Sequence, residues 1–339
     1  MPRPTQTRRP LLGLLAAGLL LTTAAACAEG EASADGDGRS LALDYATYNP
    51  LSLVVKDQGW LESALAEEDV EVTWVKSDGS NKANESLRAE AIDVGSTAGS
   101  AALLARANGS PIRTIDIYSQ PEWAAIVVDE DSKITDVSDL AGKQVAATKG
   151  TDPYFFLLQS LAAEGIDPGE VTVQNLQHAD GWSALANGSV DAWAGLDPIM
   201  AAAEQEGAKL IYRNIDFNTY GFLNATEEFL DEEPKLAQLV VDAYAKARDW
   251  IQENPDEAVA ILAEAAAIDE AVAQTVLTER TNLDFDHVPG QAQLDVLTTV
   301  GPLFVESGDV EEQSQIDSAL EELLTDEYAA KADATRVGD

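Results

Sequence analysis

The residues whose type and spacing best suit chemistry are two that open helices with a capping side chain followed by proline. Asn49-Pro50 follows the run Leu41-Ala-Leu-Asp-Tyr-Ala-Thr-Tyr48, and Asp152-Pro153 follows Val145-Ala-Ala-Thr-Lys-Gly-Thr151. Each leads into an apolar stretch that stops at a glycine, Gly59 in one case and Gly165 in the other. A carboxylate or amide at the cap, proline at the first helical position and glycine past the end specify a helix with an exposed start. The free N–H groups of that start carry the positive end of the helix dipole, so they suit an anionic or polar ligand. The chemistry this offers is binding. Covalent catalysis has little to draw on: the chain has one cysteine, Cys27, and two histidines, His178 and His287, from which no nucleophile–base pair or metal triad can be assembled.

The elements that must hold these starts recur. After each helix comes a strand-like run, Val70-Glu-Val-Thr-Trp-Val75 and Val171-Thr-Val-Gln-Asn-Leu176. Asp78-Gly79 and Asp180-Gly181 then each open a short helix, with Asp180 expected as a cap. Ala91-Ile-Asp-Val-Gly-Ser-Thr97 and Ser189-Val-Asp-Ala-Trp-Ala-Gly-Leu-Asp-Pro198 each give a strand leading into an Ala-rich helix. The landmarks keep their order at an offset of roughly 100 residues, which marks an internal duplication of a βαβαβα half. The expected fold class is α/β: two lobes joined by two crossings, with a cleft at the carboxyl ends of the strands.

The N-terminal residues 1–26 have the makeup of a signal peptide. Arg3, Arg8 and Arg9 are followed by an apolar core from Leu11 to Leu21 and by Ala24-Ala-Ala-Cys27. Thr7-Arg8-Arg9-Pro10-Leu11-Leu12 resembles a twin-arginine export signal. Cys27 directly after this segment resembles a lipobox cysteine, and its lipidation would anchor an exported protein to the membrane at the cell surface or in the periplasm. Cleavage by ordinary signal peptidase after Ala26 is the alternative. Residues 27–39, rich in Glu, Gly, Ser and Asp, are expected to form a flexible tether. Lobe 1 is expected over 40–127 and again, mainly helical, over 222–339, with lobe 2 over 128–221. Sixty acidic against 21 basic residues give a formal net charge of −39, which repels nucleic acid and anionic lipid surfaces.

Several of these stretches resemble one family. Lys149-Gly-Thr-Asp152, Gly188-Ser-Val-Asp-Ala-Trp193, Leu196-Asp-Pro198 with its Ala-rich helix, and Val137-Ser-Asp-Leu-Ala-Gly-Lys143 are similar to the aliphatic sulfonate-binding proteins of ABC importers. The wider group includes taurine and nitrate receptors. The resemblance runs from about Leu41 to beyond Phe304 and is strongest from Trp123 to Glu204. It departs from the family pattern at Thr151-Asp152, where the family has Ser-Asn, and at Leu196, where it has Trp. It implies the type II periplasmic-binding-protein fold, a small organic anion as solute, an ABC permease with its ATPase as partner, a monomer, no cofactor and no bound metal. The cleft-facing turns it implies offer Tyr48, Asn49, Ser96, Thr97, Gln120, Thr151, Asp152, His178, Asp180, Trp193 and Asp197 as solute-binding residues. Hydroxyls and helix-start amides among them would form an anion cradle, and Tyr48, Trp182 or Trp193 would cover an organic tail. Nitrate, a pyrimidine vitamin precursor, or a non-transport enzyme on the same fold stay open as alternatives.

Overall fold

The computed structural model describes residues 39–338. The expected signal peptide, Cys27 and nearly all of the expected tether lie outside these residues. Arg39, expected as the last tether residue, instead begins the first strand. It pairs in parallel with Val70, and its guanidinium meets the carboxylate of Glu233.

In chain order the first half comprises β1 (Arg39–Tyr45), α1 (Pro50–Gln58), α2 (Trp60–Leu65), β2 (Val70–Lys76), α3 (Ser80–Arg88), β3 (Val94–Ala98), α4 (Gly99–Ala107) and β4 (Ile112–Pro121). The chain then crosses to β5 (Ala124–Val128), β6 (Gln144–Ala147), α5 (Asp152–Ala163), β7 (Thr172–Asn175), α6 (His178–Ala186), β8 (Ala192–Leu196), α7 (Ile199–Gln205) and β9 (Lys209–Tyr212). It returns through β10 (Gly221–Thr226), α8 (Glu227–Glu232), α9 (Pro234–Glu253), α10 (Pro255–Ala266), α11 (Glu270–Glu279), β11 (Thr281–Asn282), α12 (Gln291–Glu306) and α13 (Gln313–Glu322).

Two sheets result, ordered β11-β4-β10-β3-β1-β2 and β7-β6-β8-β5-β9. The duplicated half is visible in both: β2, β1 and β3 lie parallel in that order, as do β7, β6 and β8. Each set is flanked by an antiparallel strand that has just crossed from the other sheet, β10 beside β3 and β5 beside β8. β5 pairs with β8 and β9, so the second sheet begins at Ala124, before the boundary expected at residue 128. The reason is burial on both faces. Ile126 and Val128 point into the core shared with the first sheet, and Ala125 and Val127 into a smaller core with Trp193 and Met200.

α5 is apolar nearly all round, and every residue from Asp152 to Leu161 is buried. A helix of that kind has no solvent face and must be enclosed. It packs on the second sheet and also reaches the first lobe's helices, where the rings of Phe155 and Phe304 lie 4.4 Å apart. α8 to α10 and α13 lie with the first sheet and its helices, whereas α11 and α12 also touch the second lobe at α7 and α5.

Candidate functional site

A cavity of about 480 Å³ opens between the strand ends of the two sheets. The first lobe contributes Thr47 and Tyr48 before α1, Lys76 and Asp78 after β2, and Lys82, Glu85 and Ser86 from α3. The second contributes Gln177 to Asp180 at the start of α6 and Leu196 to Ile199 where β8 turns into α7. Both sets sit where open α/β sheets place ligands, outside the carboxyl ends of the parallel strands.

Four of the expected residues meet here: Tyr48, His178, Asp180 and Asp197. The Tyr48 hydroxyl donates to the carbonyl of Ser96 at 3.0 Å, and its ring stands edge-on to Trp123 with centroids 6.1 Å apart. The ring is thereby fixed as an apolar wall. His178 is the first residue of α6, not a loop residue, and is 2% exposed. Burial holds its imidazole down to about 4, with the Asp78 carboxylate opposing that shift. Asp180 lies in the first turn of α6 and does not cap it, because the helix opens two residues earlier, with Gln177 at the cap position. The Asp197 carboxylate accepts from the Ala201 N–H at 3.0 Å and from Arg280 Nη1 at 3.1 Å. Burial pushes its pKa up to about 6 against the pull of that guanidinium. Arg280, at the end of α11, also pairs with Glu204 and so joins the late helices to α7.

The start of α6 is unclaimed among the described residues. The first-turn amides of His178, Ala179 and Asp180 have no acceptor among the described residues. Lys76 and Lys82 supply positive charge at the rim, paired with Asp78 at 3.0 Å and Glu85 at 2.7 Å. Among the described residues no group of His, Cys, Asp and Glu is arranged to hold a metal ion.

The other expected residues serve the fold. Ser96 lies within β3, and its N–H and hydroxyl both donate to Asp44 Oδ1, at 2.8 and 2.6 Å. Thr97 donates to the Ala98 carbonyl and accepts from Asn224. Thr151 donates to the Thr148 carbonyl at 2.7 Å. These hydroxyl protons are all committed internally, so the expected cradle of hydroxyls does not form. Asn49 does cap α1, accepting from the Ser52 N–H at 3.3 Å, but its amide donates to Tyr244 and does not line the cavity. Trp193 is fully buried beneath the second sheet, beside Trp182, and neither ring reaches the cavity. Gln120 lines a separate cavity of about 560 Å³ near the crossings, together with Arg280 and Asn282.

Asp152 departs furthest from expectation. Thr151 holds the cap position of α5, and the Asp152 carboxylate turns inward. It accepts from Ser100 Oγ at 2.6 Å, Trp123 Nε1 at 2.8 Å, and Thr219 N and Oγ1 at 3.0 and 2.6 Å. It therefore ties α4 of the first lobe and both crossing segments to α5 of the second. Lys76, Lys82 and Glu85 were not among the expected residues, and Asp78 entered only as part of the turn that opens α3. The Asp78-Gly79 turn was the available signal for the first of these, since the residues around it flank a helix start.

Asp44, which accepts from Ser96 beneath β3, is buried. Burial raises the carboxyl to about 7 despite the hydrogen bonds from Ser96. The folded state thus holds this proton more tightly than the unfolded chain. The stability it contributes is complete below about pH 4 and is lost as pH rises through about 7. Asp44→Asn, which mimics the protonated form, should melt with wild type at pH 4 and about 5 °C above it at pH 8, read from thermal melts across that range.

The family model described as NMT1/THI5 like matches residues 52–258. A protein of Bacillus subtilis (strain 168), named for binding aliphatic sulfonates, is 30% identical over 281 residues, covering 80% of this chain and 85% of that protein. The solved alkanesulfonate-binding protein SsuA from Xanthomonas axonopodis pv. citri, bound to MOPS, has a TM-score of 0.74 at 24% identity, over 83% of this chain and 97% of its own. The periplasmic aliphatic sulphonate binding protein SsuA from Escherichia coli has a TM-score of 0.70 at 25% identity, over the same shares.

Proposed function

This chain belongs to the NMT1/THI5-like family, and on that premise we propose that it is the extracytoplasmic solute-binding component of an ABC importer, taking an organic sulfonate into the cavity between its lobes. The type II periplasmic-binding-protein fold supplies two lobes that a solute can bridge. The observation that carries this reading is the open start of α6: first-turn amides without acceptors among the described residues, on residues that line a cavity walled on the opposite side by the other lobe. Three sulfonate oxygens suit such a start, because oriented amides solvate an anion without burying an unpaired cation in the empty state. Tyr48, Leu196 and Ile199 give an organic tail an apolar wall. A cavity of about 480 Å³ is far larger than nitrate needs, which favours a solute with a carbon skeleton.

In this reading the protein performs no chemistry. A solute that touches both lobes favours the arrangement in which they are closed on it, and the permease engages the closed rims. A lipid on Cys27 would hold the receptor at the membrane beside its permease, with the following residues as tether. The test is a thermal-shift panel of alkanesulfonates, sulfate, nitrate and a pyrimidine. A sulfonate at a hundred times its dissociation constant should add about 2.7 kcal/mol and raise the melting temperature by about 5 °C or more. A response to nitrate or the pyrimidine with none to any sulfonate would overturn the reading.

A further inference from the structure

The larger cavity, of about 560 Å³, lies against both crossings and is walled by different chemistry from the one between the lobes. Gln120 and Glu122 reach it from the first crossing, and Ile215 from the return segment after β9. α9 and α11 close the other side with Ile251, Leu277 and Glu279. β11 fixes the wall between them. Thr281 and Asn282 pair antiparallel with Pro121 and Gln120, and the Glu122 N–H donates to the Arg280 carbonyl at 2.8 Å.

Ile215 is 45% exposed, and no other large apolar side chain among the described residues is left so open to solvent. It lines the cavity together with Ile251, Leu277 and Leu283, so it stands where one apolar body could cover all of them. The neutral polar groups of the wall are largely satisfied within the protein. Asn282 Nδ2 donates to Gln120 Oε1 at 3.1 Å, and the Thr278 hydroxyl to the Gln274 carbonyl at 2.8 Å. The charged groups are not all satisfied. Glu122 pairs with Arg213 at 2.6 Å, and Arg280 with Asp197 and Glu204. The carboxylates of Glu279 and Asp284 have neither a hydrogen bond nor an ion pair among the described residues. A wall with an apolar side and uncompensated negative charge repels an anion and suits a cation that carries an apolar body.

We propose that this cavity is a second small-molecule site, taking an organic cation whose apolar body lies against Ile215, Leu277 and Leu283 and whose charged nitrogen sits at Glu279 and Asp284. It is independent of the sulfonate reading, since the two cavities share no lining residue and this one disfavours anions.

The experiment is titration of the isotope-labelled protein in about 0.15 M salt, followed by the amide shifts of residues in the cavity wall. The probes are 2-phenylethylammonium, 2-phenylethanol, which lacks the charge, and ethylammonium, which lacks the ring. The first should bind at least about fivefold more tightly than either of the others. Glu279→Gln combined with Asp284→Asn, both at exposed positions, should bring its preference over the alcohol to about twofold or less. Ile215→Ser, at a side chain outside the core, should weaken 2-phenylethylammonium at least about threefold and leave ethylammonium within about twofold. Equal binding of ethylammonium would mean that cations merely gather on an acidic surface, and would overturn the inference. Equal binding of 2-phenylethanol, ratios untouched by these variants, or no saturable shift in the cavity wall would overturn it as well.

Discussion

Asp152→Ala is expected to lower the stability of the protein by about 3–5 kcal/mol, a fall of about 5–8 °C in the melting temperature for a chain of this size. The carboxylate is 1% exposed and accepts four hydrogen bonds from three residues, one in the first lobe and one in each crossing. Removing it strands the Trp123 indole N–H and the Thr219 N–H, neither of which can rotate to another partner, and each stranded donor costs about 1–3 kcal/mol. The hydroxyls of Ser100 and Thr219 can turn elsewhere, though Thr219 Oγ1 also accepts the Ser100 N–H at 2.8 Å, so the network would loosen as a unit. Asp152→Asn keeps one acceptor oxygen and should cost less than half as much. Neither change should alter solute affinity per folded molecule, because Asp152 does not line the cavity. Chemical denaturation of both variants, with titration of the folded fraction, separates this anchoring role from a role in the cradle.

The largest expected effect on binding is that of Ala179→Trp. Ala179 is exposed on the first turn of α6, beside the open amides, and packs against nothing in the core. An indole there occupies the space in front of those amides and should lower sulfonate affinity by about a hundredfold, or 2.7 kcal/mol, with little change in the unliganded melt. Gln252→Trp is the matched control, since Gln252 lines the larger cavity near the crossings. It should leave the affinity unchanged. The reverse pattern would move the solute to that second cavity.

The fold was legible because its signals are local and doubled. Cap, proline and stopping glycine recur around Asn49 and Asp152, and the topology of the two parallel strand sets repeats with them. Gly59 and Gly165 do end those segments with left-handed backbone. The site was less legible because side-chain direction is not local. Asp152 has the sequence look of a cap, yet a residue further into the turn takes that place. What recruits its carboxylate is Ser100, Trp123 and Thr219, distant in sequence. Ser96 and Thr97 carry the right chemistry on a strand end, but Asp44 and Asn224 claim them, and nothing near them in the chain announces that pairing. His178 was expected in a cleft-facing turn, and only tertiary structure makes it the buried first residue of α6, beside Thr148. Lys76 and Lys82 carry no motif, and only the meeting of two lobes makes them neighbours of α6.

A crystal structure of the protein grown with a sulfonate that stabilises it in the thermal-shift panel would show directly where the solute sits. The sulfonate oxygens should lie within about 3 Å of the amide nitrogens of His178, Ala179 and Asp180, with the organic part toward Tyr48 and Ile199. Sulfonate bound in the cavity of Gln120 and Asn282, with the start of α6 vacant, would contradict that placement.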